Sequence, residues 1–259
     1  MHKSASNLSL TPAAPLEPAA SQGVKAQLRL REMILGGELP SGMRITELAI
    51  VEKLGISRTP IRAALVRLEQ EGLLDALANG GYAVRTFSER DVSESIELRG
   101  TLEGLSARLA AERGVAVEAL IEARSCLEEI DVVLSQAALD DEAFLRYVTL
   151  NQKFHNLLGE MAQSTVIARE LERVVNLPFA SPSAFVVLQA NSPQARDMLI
   201  VAQHHHWQVL DAIGQREGAR AEAIMREHSR LARRNLREAL QNHHLSLMPS
   251  ARLIRQRAP

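Results

Sequence analysis

Residues 47–68, ELAIVEKLGISRTPIRAALVRL, decide the fold of the N-terminal part of this chain. They predict two short helices joined by a tight turn, because Gly55 stands where a helix ends and Ser57 stands where the next one begins. We expect the Ser57 hydroxyl to cap the second helix by accepting a hydrogen bond from a backbone N–H. Helical spacing predicts one apolar face on each helix: Leu48, Val51 and Leu54 on the first, and Ile61, Leu65 and Leu68 on the second.

The second helix carries a local positive charge. Arg58, Arg62 and Arg67 fall outside its apolar stripe, and no acidic residue lies between Ser57 and Val66. This layout is typical of a helix-turn-helix whose second helix enters the major groove of DNA. A structural helix hairpin with a solvated, arginine-bearing face is the alternative interpretation.

The stretch that follows favours DNA binding. Residues 73–85, LLDALANGGYAVR, place Asn79, Gly80 and Gly81 between two apolar runs, which is a strong signal for a β-hairpin. A hairpin that directly follows a helix-turn-helix makes a winged module.

Residues 24–85 resemble the N-terminal winged helix of the GntR family of bacterial transcription regulators. GGELPSGMRITELA, LGISRTPIRAALVRLEQEGLL and the glycine-bearing hairpin carry this resemblance. It implies that operator DNA is contacted by Arg44, Ser57, Arg58, Thr59, Arg62 and Gly80. Family wings often carry Arg or Lys beside the glycines, whereas the residues before Gly81 are Ala78, Asn79 and Gly80. We therefore expect this wing to add less to DNA affinity than usual.

Length and charge suit a two-domain regulator. The 259 residues carry a formal net charge of −1, so the positive charge that phosphate contacts need is local. The single cysteine, Cys126, excludes an intramolecular disulfide, suits a cytoplasmic location and is expected to pack within a helix. No run of residues reaches the length of a membrane span. We predict a disordered tail (1–22), a winged helix-turn-helix domain (23–86), an all-α effector-binding and dimerisation domain (87–242) and a C-terminal tail (243–259).

From residue 88 onward the sequence pattern is helical. Ser88 is predicted to cap a helix that ends at Gly114 and carries the leucine stripe Leu98, Leu102, Leu105 and Leu109. Five more helices are predicted, the last four at about 141–161, 165–177, 193–213 and 218–241, with no strand beyond the wing. The fold class is therefore mainly α, a winged helix-turn-helix followed by an all-α bundle.

Three of these helices carry polar residues where core residues belong. Periodicity turns Asn151, His155, His206 and His228 inward, each within an otherwise apolar stripe, whereas His204 and His205 point elsewhere. Imidazoles on facing helices of a bundle are a common way to build a metal site. The alternative is that each histidine is an isolated core residue with its own hydrogen-bond partner.

Residues 90–240 resemble the all-helical FCD ligand-binding domain of the FadR branch of the GntR family. ELRGTLEGLSARLAAERG, NQKFH, HHHWQVLDAI and MREH carry this resemblance. Many FCD domains bind a divalent metal through an Asp and three histidines, which implies Asn151, His155, His206 and His228 as the ligands here. Asn151 replaces the usual Asp, and a neutral amide with three imidazoles favours Zn²⁺ or Ni²⁺ over Mn²⁺ or Mg²⁺. A site without metal, whose histidines bind the effector directly, is the alternative.

The resemblance also implies a small organic acid as effector. Arg99 matches a family position near the pocket and would clamp a carboxylate, although periodicity places it only at the edge of the apolar stripe, where a surface arginine is the alternative. The apolar run PFASPSAFVVL, residues 178–188, would line a pocket for an aromatic acid or would serve packing alone.

The function hypothesis that follows is a dimeric repressor. Two subunits would read a palindromic operator, and the bound acid would release the DNA. A metal-dependent hydrolase that uses the histidine cluster is one alternative. An architectural DNA-binding protein without a ligand is another.

Overall fold

The computed structural model describes residues 19–136, 139–177, 179–183, 195–241 and 253–255. Nine helices and five short strands lie in that part of the chain. The helices are α1 Ala19–Leu35, α2 Glu47–Leu54, α3 Arg58–Gln70, α4 Glu89–Arg113, α5 Val117–Leu134, α6 Asp141–Met161, α7 Thr165–Val175, α8 Ala195–Gly214 and α9 Gly218–Gln241. The strands are β1 Arg44–Ile45, β2 Leu74–Ala76, β3 Tyr82–Val84, β4 Phe87–Ser88 and β5 Ile254–Arg255.

The helix-turn-helix forms as predicted, with one difference in the face that α2 buries. Gly55 ends α2 in the left-handed conformation, with a φ of 66°, and its N–H donates to the carbonyl of Val51. In α3 the predicted stripe of Ile61, Leu65 and Leu68 is fully buried against α1. In α2, however, Leu48 is 53% exposed and the buried residue is Ile50. Val51 and Leu54 pack against the core as predicted, so the prediction of this face is wrong only at Leu48 and omitted Ile50.

A three-stranded antiparallel sheet in the order β1-β3-β2 forms the wing. Tyr82 pairs with Ala76 on one side and with Ile45 on the other. Gly81 has a φ of 81°, and a Cβ on it would lie 2.8 Å from the carbonyl oxygen of Ile45, so this position requires glycine. The hairpin was predicted and is confirmed, whereas β1 was not predicted.

Helix α4 connects the winged helix to the helical domain. Ser88 caps it as predicted, and with Asp91 it forms a reciprocal capping box. Val92 and Ile96, in the first turns of α4, belong to the same buried cluster as the core of the winged helix. Helix α4 and the winged helix therefore share one apolar core.

The helical domain contains six helices in its described part, α4 to α9, as predicted. Helix α9 packs along α4, α5 packs against α6 and α8, and α4 also contacts α6, α7 and α8. Cys126 is buried and donates to the carbonyl of Leu150, which agrees with a packing role. Among the described residues, no helix combines the length and apolar character needed to cross a membrane.

Three further predictions are wrong. Helix α1 begins at Ala19, so the last residues of the predicted tail 1–22 are helical, while residues 1–18 lie outside the described part. The strand β5, within the predicted C-terminal tail, pairs in parallel with β4. The leucine stripe of α4 does not face the core, because Leu98 is 49% exposed and Leu102, Leu105 and Leu109 are only partly buried.

Candidate functional site

The first turn of α3 presents the predicted recognition residues to solvent. Ser57, Arg58, Thr59 and Arg62 are all exposed. Ser57 occupies the N-cap position in extended conformation, but its side chain makes no capping hydrogen bond, contrary to the prediction. Its hydroxyl is therefore not committed to the helix end and remains suited to a phosphate or base contact.

Arg44 joins the wing to the recognition surface. It lies on β1, and its Nη2 donates to the carbonyl oxygens of Gly80 and Asn79, 3.1 Å and 3.4 Å away. The guanidinium thus lies at the tip of a hairpin that has no basic residue of its own. Arg44 supplies the positive charge that family wings often carry beside their glycines.

Arg62 is paired with an acid on the neighbouring helix. Its Nε and Nη2 donate to the two carboxylate oxygens of Glu47, at 2.7 Å and 3.0 Å. The hydrogen bonds from Arg62, opposed by burial and aided by the charges of Arg62 and Arg58, lower the pKa of Glu47. Glu47 stands at the start of α2 and was not among the predicted site residues.

The second candidate site lies inside the helical domain, where three predicted histidines converge. His155 on α6, His206 on α8 and His228 on α9 are buried and offer one ring nitrogen each, and these nitrogens lie within 4.8 Å of one another. Each ring also keeps a buried nitrogen without a hydrogen-bond partner among the described residues: His155 Nε2, His206 Nε2 and His228 Nδ1. Because a buried polar atom without a partner is unfavourable, these nitrogens fit a shared ligand.

Two neighbouring side chains orient the rings. His155 Nδ1 donates to Glu103 Oε1 at 2.8 Å, which leaves the electron pair of its Nε2 free for a ligand. Gln203 Nε2 donates to the Leu127 carbonyl and to Asp131, so its Oε1 faces His206 and accepts from Nδ1 at 3.1 Å. Hydrogen bonds of this kind are typical of histidines that bind metals.

Two of the histidines, His206 and His228, are held in the form that binds metals. Burial, and then the neighbouring His155 and His205, keep the pKa of His206 well below its ordinary value. Burial, then His206, His155, Arg99 and His205, do the same to the pKa of His228. Both rings are therefore neutral at physiological pH, and a neutral imidazole can donate its electron pair to a cation.

Arg99 is buried rather than at the surface, with 1% of its side chain exposed. Its Nη1 donates to the Ala180 carbonyl at 2.9 Å, and its Nε lies 3.3 Å from Glu103 Oε2. Burial disfavours the charged form of Glu103, but its interactions with His155 and Arg99 outweigh this effect, so the pKa of Glu103 is lowered. Glu103 thus links the arginine to the histidine cluster.

A small cavity of about 30 Å³, partly open to solvent, adjoins the cluster. Its lining includes Arg99, Tyr147, Asn151, His228 and Asn235. Asn151 is buried, and its Nδ2 donates to Ser183 Oγ at 3.0 Å. Polar side chains from α4, α6 and α9 therefore meet in one small concave site.

The apolar run at 178–188 is only partly within the described residues. Pro182 lines the cavity, whereas Phe179 packs in the cluster that contains the winged-helix core. Residues 178 and 184–188 lie outside the described part.

Sequence reasoning missed Glu103 and Gln203, although both carry a detectable signal. Glu103 follows Arg99 by four residues, and Gln203 precedes His206 by three, so each shares a helix face with a residue that was identified. His205, predicted to point elsewhere, is half-buried and its ring centroid lies 6.0 Å from that of His228.

Comparison with known proteins agrees with this architecture. Residues 22–84 match the family described as bacterial regulatory proteins, gntR family, and residues 94–231 match the FCD domain. The chain is 29% identical over 221 residues to the HTH-type transcriptional regulator YdhC of Bacillus subtilis, which covers 84% of each chain. It is 26% identical over 234 residues to the Glc operon transcriptional activator of Escherichia coli, covering 83% of this chain and 89% of the relative.

A shorter match covers the DNA-binding part. The chain is 41% identical over 78 residues to a probable D-xylose utilization operon transcriptional repressor of Paenarthrobacter nicotinovorans, which spans 30% of this chain and 34% of the relative. Among solved structures, E. coli McbR/YncC has the same fold, with a TM-score of 0.59 and 18% identity over 86% of this chain and 98% of that one. The chain therefore belongs to the GntR family and is a transcriptional regulator with an FCD domain.

Proposed function

We propose that this regulator binds a palindromic operator as a homodimer and responds to a small organic acid bound beside a metal ion in the helical domain. The observation that carries this proposal is the convergence of His155, His206 and His228, whose buried free nitrogens adjoin a cavity that also contains Arg99. Burying these four polar side chains without a ligand to pair with would destabilise the domain.

The metal would be held by the three imidazoles and by Asn151. A set of three neutral nitrogens and one amide oxygen favours Zn²⁺ or Ni²⁺ over Mn²⁺ or Mg²⁺, which prefer charged oxygens. When bound, the ion would supply a Lewis-acid position that accepts a carboxylate oxygen of the effector. Glu103 and Gln203 would orient the ligands.

Arg99 would contribute a charge-assisted hydrogen bond to the same acid. Its Nη1 donates one hydrogen to Ala180 and its Nε faces Glu103 in the ion pair, so Nη2 and the second hydrogen of Nη1 remain for an effector. These donors form one end of the planar fork, which supports the carboxylate clamp predicted from the sequence. Asn235, also on the cavity wall and buried, would add a polar contact.

The dimer surface is proposed to be the leucine face of α4. Leu98, Leu102, Leu105 and Leu109 share a face at helical spacing, and none of them is buried in the single chain. An apolar stripe of this length on the outside of a domain is typical of an interface. Leu98→Asp is expected to give the mass of one 28.5 kDa chain in sedimentation analysis, whereas Leu145→Asp, at another exposed leucine, should leave the dimer intact.

The conformational change that releases DNA would be transmitted from the cavity to the winged helix by α4. This helix carries Arg99 at the cavity and Glu103 beside His155, and its first turns pack in the winged-helix core. The effector would release DNA to the extent that it binds the DNA-incompetent arrangement more tightly. Repression relieved by the effector is the proposed sense, and the Paenarthrobacter relative of the DNA-binding part is a probable operon repressor.

The test is release of a fluorescent duplex from zinc-loaded protein. The duplex is first selected from a random-sequence library, and a panel of aliphatic, hydroxy, dicarboxylic and aromatic acids is then titrated. We expect one chemical class to release DNA from the wild type and to be ineffective on chelator-treated His206→Ala protein. If no class of acid changed DNA affinity in the metal-loaded protein, the proposed effector mechanism would be wrong.

The hydrolase interpretation has no comparable support. The carboxylate nearest the cluster, Glu103, is engaged by His155 and Arg99 and is not available as a general base. The relatives described above are regulators.

A further inference from the structure

The ion pair between Arg62 and Glu47 uses one edge of the guanidinium. Nε and Nη2 each donate one hydrogen to the carboxylate. A guanidinium has five N–H donors, so the Nη1 hydrogens and the second hydrogen of Nη2 remain. These remaining donors form the end of the planar fork, the geometry that fits O6 and N7 of guanine in the major groove.

Glu47 is placed to hold this geometry. It is the first residue of α2, and the preceding Thr46 fixes the start of that helix because its side chain accepts a hydrogen bond from Ala49 N. The Glu47 side chain is 28% exposed, whereas that of Arg62 is 66% exposed. The acid is therefore the more rigid partner, and the arginine extends from it towards solvent.

The pair also changes what Arg62 can bind. An isolated arginine on a recognition helix is attracted to any phosphate, but the pair of Arg62 and Glu47 has no net charge, and the carboxylate repels phosphates. Arg58, one turn earlier on α3, is exposed and has no comparable acid partner among the described residues. Arg58 and Arg62 are therefore not equivalent.

We propose that Glu47 is a positioning residue that presents Arg62 end-on to a guanine and so makes Arg62 a reader of sequence rather than of phosphate. This proposal rests on the assignment of α3 as the recognition helix. It assigns base preference at one position of each half-site to a residue outside that helix. Arg58 keeps the general attraction to the DNA backbone.

The experiment measures base preference, affinity and salt dependence together. Wild-type protein selects duplexes from a random-sequence library, and dissociation constants are then measured for the selected duplex, for each of its single-base-pair variants and for an unselected duplex. Glu47→Gln is compared with Glu52→Gln, which removes the same charge from an exposed position of α2 that has no ion pair to a described residue. Thermal unfolding of each variant establishes that it is folded.

For the wild type, replacing one G·C pair in each half-site should weaken binding about 5- to 150-fold, the range for a bidentate arginine–guanine contact. In Glu47→Gln this discrimination should fall to less than about threefold, because Arg62 is then free to turn to a phosphate. Affinity for the unselected duplex should rise, and the slope of log affinity against log salt should steepen by about one. Glu52→Gln should keep the wild-type base preference.

Two further variants test the proposal without relying on Glu47→Gln as a single substitution. Arg62→Lys keeps the charge but not the planar fork, and it should lose the same guanine preference. In an Arg62→Ala background, Glu47→Gln should have no further effect on base preference, because the residue that it positions is absent.

Unchanged base preference in Glu47→Gln would overturn the proposal, as would the same loss of preference in Glu52→Gln. A wild-type selection that enriched no sequence would overturn the recognition-helix assignment and this proposal with it.

Discussion

Arg58 and Arg62 lie on the exposed surface of the winged helix, whereas Arg99 of the helical domain is 1% exposed. The winged helix keeps an apolar core and carries its chemistry outside that core. The helical domain places its chemistry in the core, where His155, His206 and Glu103 replace apolar side chains. The two domains therefore couple function to stability in different ways.

On the surface of α3 a charge can be removed without disturbing packing. In the interior, each polar side chain needs a hydrogen-bond or ion-pair partner, because nothing else compensates for the loss of its hydration. Substitutions in the winged helix should therefore change DNA binding at constant stability. Substitutions in the helical core should change stability as well as ligand binding.

The largest effect is expected for Glu103→Ala. The substitution leaves the buried charge of Arg99 and the buried Nδ1 of His155 without their partner, and breaking a buried ion pair destabilises by about 3–5 kcal/mol. Urea unfolding in chelator-containing buffer measures this. Glu112→Ala, which breaks an exposed ion pair with Arg108 on the same helix, should change stability by about 0–1 kcal/mol. Equal effects of the two substitutions would remove the contrast between interior and surface.

Arg58→Ala tests the expectation for the surface of the winged helix. We expect binding to selected and unselected duplexes to weaken by a similar factor at fixed salt and the salt slope to fall by about one, with stability changed by less than about 0.5 kcal/mol. Arg67→Ala removes the same charge from the part of α3 that contacts Gln27, and it should bind DNA nearly as the wild type does. If Arg58→Ala left DNA affinity unchanged, the assignment of α3 as recognition helix would be wrong.

A smaller effect is expected at the junction between the domains. Hydrogen bonds from the backbone and then the side chain of Ser88 lower the pKa of Asp91, so its stabilising contribution is complete above the ordinary carboxyl range and is lost as pH falls through the lowered pKa. Asp91→Asn should destabilise by about 1 kcal/mol at pH 7.

The difference between Asp91→Asn and wild type should shrink as pH falls below the ordinary carboxyl range and through the lowered pKa of Asp91, because wild-type Asp91 then becomes protonated. Glu94→Gln, at an exposed position of the same helix, is the control for loss of one acid. A difference that stayed constant with pH would show that the charge of Asp91 does not act in the capping box.

Local signals made much of this fold predictable. The bounds predicted at 141–161 and 218–241 agree with those of α6 and α9, and Ser88 and Gly114 delimit α4 as predicted. Caps and periodicity depend on neighbouring residues alone. The inward histidines were predictable for the same reason, because each of them falls on the buried face of its helix at regular helical spacing.

Features that depend on a distant partner were not predictable. The two-residue strands β1, β4 and β5 have no pattern of their own and exist only because they pair. In α4 the leucines indicated the wrong face, because the side against α9 is built from small residues. A Cβ on Gly100 would lie 2.4 Å from that of Ser229, and one on Gly104 would lie 2.8 Å from Arg226 Cγ. Periodicity of large apolar residues cannot detect such close packing.

The central claim is that the polar interior of the helical domain is a metal centre. Elemental analysis of purified wild type, His206→Ala and His204→Ala tests it most directly, because His204 is an exposed residue of the same helix. The account predicts about one equivalent of Zn or Ni per chain in wild type and in His204→Ala, and almost none in His206→Ala. Wild type that held no metal even after incubation with divalent ions, or His206→Ala that retained it, would contradict the account.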